Sequence, residues 1–151
     1  MSGKRPVRPS LVLSVPSRTE FLALLRDVTR RMAEVAGFDG GLAEQLALAV
    51  DEAATNVIEH AYAGAGDRVV ELRFFDAGAE LRIDLVDDGA TVDPRHVPQV
   101  DLARYATERR TGGLGMHLMG KIMDSVTFAR AAQRNVCCMV KRKPGGGEPG
   151  A

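Results

Sequence analysis

Three groups of residues in this chain could hold a charged ligand, and they occur in a telling order. In Asp51-Glu52-Ala53-Ala54-Thr55-Asn56 a carboxylate and an amide stand four residues apart. On a helix turning about 100° per residue, Glu52 and Asn56 lie within roughly 40° of each other on one flank. An asparagine carbonyl is a hard oxygen suited to Mg²⁺. A carboxylate one turn away can accept a proton from an attacking hydroxyl or orient a water. Next, Val86-Asp87-Asp88-Gly89 closes an alternating segment with a carboxylate and a glycine. A carboxylate there can accept from the exocyclic amine of adenine, and glycine lets a base approach the backbone. Last, Thr111-Gly112-Gly113-Leu114-Gly115 opens a helical segment. Bare backbone amides at a helix start favour phosphate oxygens. The run is not a Walker A loop, because no Gly-Lys-Ser/Thr follows.

Each group also has an ordinary structural reading: the polar edge of an amphipathic helix, a surface Asp-Gly turn, a hinge. Taken in order, they supply metal, adenine and phosphate contacts, with a long polar stretch between the last two that could cover a ligand. That is a complete nucleotide site. His60 falls near the middle of the apolar stripe of its helix, so a packed, hydrogen-bonded core histidine is expected there.

These groups need elements to position them. Residues 10–15 alternate as a first strand, and Ser17-Arg18-Thr19-Glu20 has the pattern of a capping box. A helix is expected from there to about Ala36, with Phe21, Leu24, Leu25, Val28 and Met32 inward and Gly37 ending it. A second helix over roughly 41–62 bears Leu42, Leu46, Ala49, Val50, Ala53 and Val57 as its stripe. Residues 68–75 and 80–86 alternate as strands about a short turn. Residues 87–112 are polar, with at most a short helix near Asp101–Tyr105. A third helix runs from Leu114 to about Met123, and strands near 125–130 and 135–142 finish the domain. Segregated helices and a mostly antiparallel sheet imply an α+β fold, a two-layer α/β sandwich with three helices over one sheet face. Residues 1–9 read as a flexible N-terminal arm, 10–142 as the domain, and 143–151 as a disordered tail.

The chain has 151 residues, enough for one such domain. Its 20 basic and 20 acidic residues cancel, which argues against nonspecific binding of nucleic acid or anionic lipid. Tryptophan is absent and aromatics are 5%, so base-stacking platforms are not expected. Cys137 and Cys138 are neighbours and would face opposite sides of a strand, which suits neither a disulfide nor a shared metal. With no membrane span and no signal-peptide core, the expected location is cytoplasmic.

With these motifs in place, the chain resembles the GHKL ATPase superfamily and, more narrowly, the anti-sigma-factor serine kinases. Glu52-Ala-Ala-Thr-Asn56-Val-Ile-Glu-His60-Ala-Tyr62 is similar to the family's N-box. Asp87-Asp88-Gly89 matches its Asp-x-Gly box, and Gly112-Gly-Leu-Gly-Met-His-Leu-Met-Gly-Lys-Ile-Met-Asp124 its glycine box. The resemblance implies a Bergerat ATP-binding fold and the cofactors ATP and Mg²⁺. By it Glu52 is the general base, Asn56 the Mg²⁺ ligand, Asp87 and Gly89 the adenine contacts, and Arg110, Thr111, Gly112, Gly113, Leu114 and Gly115 the phosphate contacts. Two departures stand out: Thr91 replaces a glycine common after Asp-x-Gly, and Thr111 separates Arg109 and Arg110 from the glycine box.

The function so implied is a protein serine kinase that is also an anti-sigma factor. It would bind a sigma factor and phosphorylate a STAS-domain anti-anti-sigma protein, as a homodimer, without direct nucleic-acid or membrane contact. An ATP-responsive regulator that binds partners without phosphoryl transfer is the alternative. The catalytic fragment of a histidine kinase is a third reading, disfavoured because no phosphoacceptor helix pair precedes the domain.

Overall fold

A computed structural model of the chain describes residues 7–89 and 113–145, with the backbone alone described over 113–117. The elements run β1 (Leu11–Pro16), α1 (Leu22–Val35), α2 (Gly40–Asn56), β2 (Val69–Ala77), β3 (Glu80–Asp87), α3 (Gly113–Ile122), β4 (Ser125–Ala131) and β5 (Arg134–Arg142). The strands form one antiparallel sheet in the order β1-β2-β3-β5-β4. The short helix expected near Asp101–Tyr105 falls outside the described residues.

Alternation decides which sheet face the helices cover. Val70, Leu72 and Phe74 on β2, Leu81, Ile83 and Leu85 on β3, and Cys137 and Met139 on β5 point to one side and are buried. Burying each of the larger aliphatic or aromatic side chains stabilises the fold by about 1.5–3 kcal/mol. Leu25 and Ala33 of α1, Leu46, Val50 and Ala53 of α2, and Met119 and Ile122 of α3 meet that face in one core. Helix α2 packs against both α1 and α3, and its buried alanines at 43, 47, 49, 53 and 54 let the neighbouring helices approach closely. The result is the expected α+β two-layer sandwich.

On the opposite sheet face, Arg82 grips Asp84 through two hydrogen bonds of 2.9 and 2.6 Å, and its guanidinium lies over the Phe75 ring. The cysteines divide between the faces as their adjacency requires. Cys137 is in the core, where burial pushes its thiol up to about 12, and Cys138 lies beside Asp84. Among the described residues no helix is long and apolar enough to cross a membrane.

Three local expectations are corrected. The capping box does not form: a 3₁₀ turn over Thr19–Phe21 precedes α1, and its N-cap, Arg18, makes no side-chain capping bond. The Ser17 hydroxyl instead donates to the Ala65 carbonyl at 2.5 Å and accepts from the Arg68 N–H at 3.1 Å, while Glu20 pairs with Arg18. A hydroxyl only 1% exposed must find partners inside, and the loop before β2 brings it two. Leu24 is exposed, because α1 begins after the 3₁₀ turn and its inward line runs Leu25, Thr29, Ala33. The second helix does not stay α-helical to residue 62: Val57–Ala61 is a π-helical turn. Gly37 ends α1 as expected, with a φ of 103° that a side chain would rarely adopt.

Candidate functional site

Helix α2 starts at a true cap, the Asp39 carboxylate accepting from the Leu42 N–H at 2.8 Å. From there it is regular through Asn56, so the four-residue spacing of Glu52 and Asn56 does place them one turn apart on one flank. Both are half-buried. Burial, then the neighbouring Asp51 and Glu59 carboxylates, hold the Glu52 carboxyl above the usual glutamate range. A base needs such a shift to compete for a hydroxyl proton near neutral pH.

The Asn56 side chain has a buried amide nitrogen with no hydrogen-bond partner among the described residues. An unsatisfied buried amide costs about 1–3 kcal/mol. The nitrogen is the atom shut away from solvent, so the group this half-buried side chain could offer a ligand is its carbonyl oxygen. A polar group kept at such a cost fits a ligand-facing role, and its chemistry suits Mg²⁺ carried by nucleotide phosphates.

Immediately after Asn56 the helix widens. The Tyr62 N–H reaches back five residues to the Val57 carbonyl at 2.9 Å, the π pattern. A wider turn advances fewer degrees per residue, and the phase of everything beyond lags that of an α-helix. His60 is therefore exposed, with Nε2 3.9 Å from a Glu59 carboxylate oxygen, and the expectation of a packed core histidine fails. Tyr62 swings into the core instead.

The far end of this turn is fastened to the Asp-x-Gly segment. The Tyr62 hydroxyl lies 2.5 Å from the Val69 carbonyl and 2.9 Å from Asp88 Oδ1, and it accepts the Asp88 N–H at 3.0 Å. Arg68 bonds the same Asp88 oxygen at 2.9 Å and stacks over the Tyr62 ring. The Arg68 bond, then the Tyr62 bond, hold the Asp88 carboxyl below its usual range. Gly89 touches Ala61 so closely that a Cβ would stand 2.6 Å from the Ala61 carbonyl oxygen. Asp87, buried at the end of β3, has one carboxylate oxygen occupied: Oδ1 accepts from the Gly89 N–H and from Asn135 Nδ2, each at 2.9 Å.

The π turn that follows Asn56 is thus packed against Asp88 and Gly89. Gly113, Leu114 and Gly115 are the first residues of α3, the helix that packs against α2. Arg109, Arg110, Thr111 and Gly112 lie outside the described residues, as does Thr91. Sequence reasoning missed Arg68 and Asn135, and placed Tyr62 at the end of the N-box helix without giving it a partner. Nothing local flags the first two, since their partners lie 20 and 48 residues away.

A family model for the histidine kinase-like ATPase domain matches residues 15–141. The chain is 33% identical over 121 residues to a serine-protein kinase RsbW of Bacillus pumilus, covering 76% of this chain and 74% of that one. It is 30% identical over 120 residues to serine-protein kinase RsbW of Listeria monocytogenes, covering 77% and 76%. Among solved structures, the SiaB–SiaC complex of Pseudomonas aeruginosa contains a chain that superposes with a TM-score of 0.59 over 90% of both chains, at 10% identity, a likeness of fold alone.

Proposed function

The chain belongs to the histidine kinase-like ATPase family, and we propose that it is a protein serine kinase and anti-sigma factor working with Mg-ATP. The observation that carries this reading is the half-buried Asn56 side chain, its amide nitrogen without a partner among the described residues, one turn from Glu52 and followed by a π turn packed on Asp88 and Gly89. The serine-kinase names of relatives sharing about a third of their residues with this chain support the same class of chemistry.

In this reading each residue has a limited task. Asp87 accepts a hydrogen bond from the adenine amine with Oδ2, the carboxylate oxygen that takes no donor among the described residues. Gly89 brings the backbone against the base. Asn56 offers a hard oxygen to Mg²⁺, which when bound supplies charge neutralisation to the phosphates. Arg110, Thr111, Gly112 and the backbone at Gly113, Leu114 and Gly115 hold the phosphate oxygens at the start of α3. Glu52 takes the proton of the incoming serine hydroxyl, help typically worth about 10²–10⁴-fold in rate. Positioning and electrostatics supply the remainder, as in phosphoryl transfer generally.

The finer proposal is that the serine belongs to a STAS-domain anti-anti-sigma protein and that the same molecule sequesters a sigma factor, acting as a cytoplasmic homodimer over residues 10–142. Incubation with γ-labelled Mg-ATP and the cognate STAS-domain protein tests it, and label on a serine of that protein is the expected result. Label on a histidine of this chain would point to the histidine-kinase reading. Tight ATP binding with no label anywhere would leave a nucleotide-responsive binder.

A further inference from the structure

Asn135 lies outside every motif considered above, yet strand register sets it directly opposite Asp87. Its side chain is fully engaged. Nδ2 donates to Asp87 Oδ1 at 2.9 Å and to the Gly89 carbonyl at 3.3 Å, and Oδ1 accepts from Arg130 Nη1 at 3.0 Å. Charge fixes which way this amide faces. Turned over, it would aim its oxygen at a carboxylate and its NH₂ at a guanidinium, both repulsive. Arg130 therefore holds the donor end of Asn135 toward Asp87.

We propose that Asn135 is a positioning residue that sets base specificity, by fixing Asp87 as a hydrogen-bond acceptor at the nucleotide base. The inference rests on the reading that Asp87 faces the base. Two N–H donors, from Asn135 and Gly89, converge on Asp87 Oδ1 and stop the carboxylate from rotating. The other oxygen then meets the base in one orientation, as an acceptor. An amine at the base's C6 position satisfies it; a carbonyl there brings oxygen against oxygen. Without Asn135 the carboxylate is free to turn and take up water, and the preference for an amine weakens.

Calorimetric binding of ATP and of inosine triphosphate, which carries a carbonyl where ATP carries the amine, tests this on the full chain. Wild type should prefer ATP. Asn135→Ala should weaken ATP binding about tenfold, the order expected for losing a hydrogen bond to a charged group, and leave the inosine nucleotide nearly unchanged. Asn135→Asp keeps the size of the side chain but sets carboxylate against carboxylate, and should weaken ATP more than Asn135→Ala does. Equal loss for both nucleotides, or a milder effect from Asn135→Asp than from Asn135→Ala, would mean a packing role and overturn the proposal. If wild type binds both nucleotides alike, the role of Asp87 fails and this inference with it. If wild type discriminates and Asn135→Ala still does so undiminished, this inference alone fails. Should neither variant fold, Arg130→Ala alters an exposed side chain and should narrow the same ratio by about two- to threefold, the order of one exposed charged contact. An unchanged ratio would count against the proposal.

Discussion

Gly89 rests on Ala61 with no room for a side chain between them: a Cβ at Gly89 would lie 2.6 Å from the Ala61 carbonyl oxygen and 2.9 Å from its Cβ. The obstacle is mostly backbone, on the turn that follows Asn56, and cannot swing aside as a flexible side chain would. Gly89→Ala should therefore part the Asp-x-Gly segment from the turn. The expected cost is about 1–3 kcal/mol of stability, the usual range for overpacking, with a larger proportional loss of ATP affinity. Urea unfolding and calorimetry on the same variant would check both.

Glu52→Gln should bind Mg-ATP nearly as wild type does and lose transfer by about 10²–10⁴-fold. The Glu52 carboxyl sits above its ordinary value, first through burial and then through Asp51 and Glu59. Transfer by wild type should accordingly fall as pH drops through a point above the ordinary glutamate pKa. For stability the sign is opposite. A carboxyl whose pKa is raised on folding favours the folded state below its unfolded pKa, and that contribution is lost as pH rises through the folded pKa. At neutral pH the ionised side chain is a burden, so Glu52→Gln should raise Tm. A lower Tm together with unchanged transfer would remove Glu52 from the mechanism.

Asn56→Ala should abolish most of the Mg²⁺ dependence of nucleotide binding while leaving the protein at least as stable. The change removes a buried nitrogen that has no partner among the described residues, and it replaces a poor helix former with the best one, worth about 0.5 kcal/mol. A titration with and without Mg²⁺, beside a thermal melt, separates the two effects. Strong destabilisation would assign Asn56 a structural bond and weaken its case as a metal ligand.

The hairpin between β4 and β5 turns on Ala132 and Gln133, whose φ values of 51° and 63° are costly for side-chain-bearing residues. Asn-Gly suits both positions. Ala132→Asn combined with Gln133→Gly should stabilise the fold by about 1–2 kcal/mol, visible as a higher Tm, with no change in ATP affinity.

Much of this architecture was readable in the residue order. The alternation of Val70, Leu72 and Phe74, and of Leu81, Ile83 and Leu85, located β2 and β3 because a sheet covered on one face imposes a period of two. Regular α geometry up to Asn56 made the Glu52–Asn56 spacing reliable. Failures came where a distant partner outbid a local one or where helical phase slipped. Ser17 matched a capping pattern, but its hydroxyl went to Ala65 and Arg68, 48 and 51 residues on. His60 was misplaced because a π turn leaves no signature in a single sequence. Asn135 could be linked to Asp87 only by knowing that β5, and not β4, pairs with β3.

The π turn after Asn56 also bears on how the chain could tolerate deletions. Val57–Ala61 closes its hydrogen bond over five residues where an α-helix closes it over four, so the turn holds one extra residue. Removing one would restore an uninterrupted α-helix, a change that usually passes for harmless or even favourable. Here the residues beyond would keep their phase, so Tyr62 would still reach Asp88; straightening the turn with all five residues kept is the change that would rotate Tyr62 away from Asp88 and pull Ala61 from beneath Gly89.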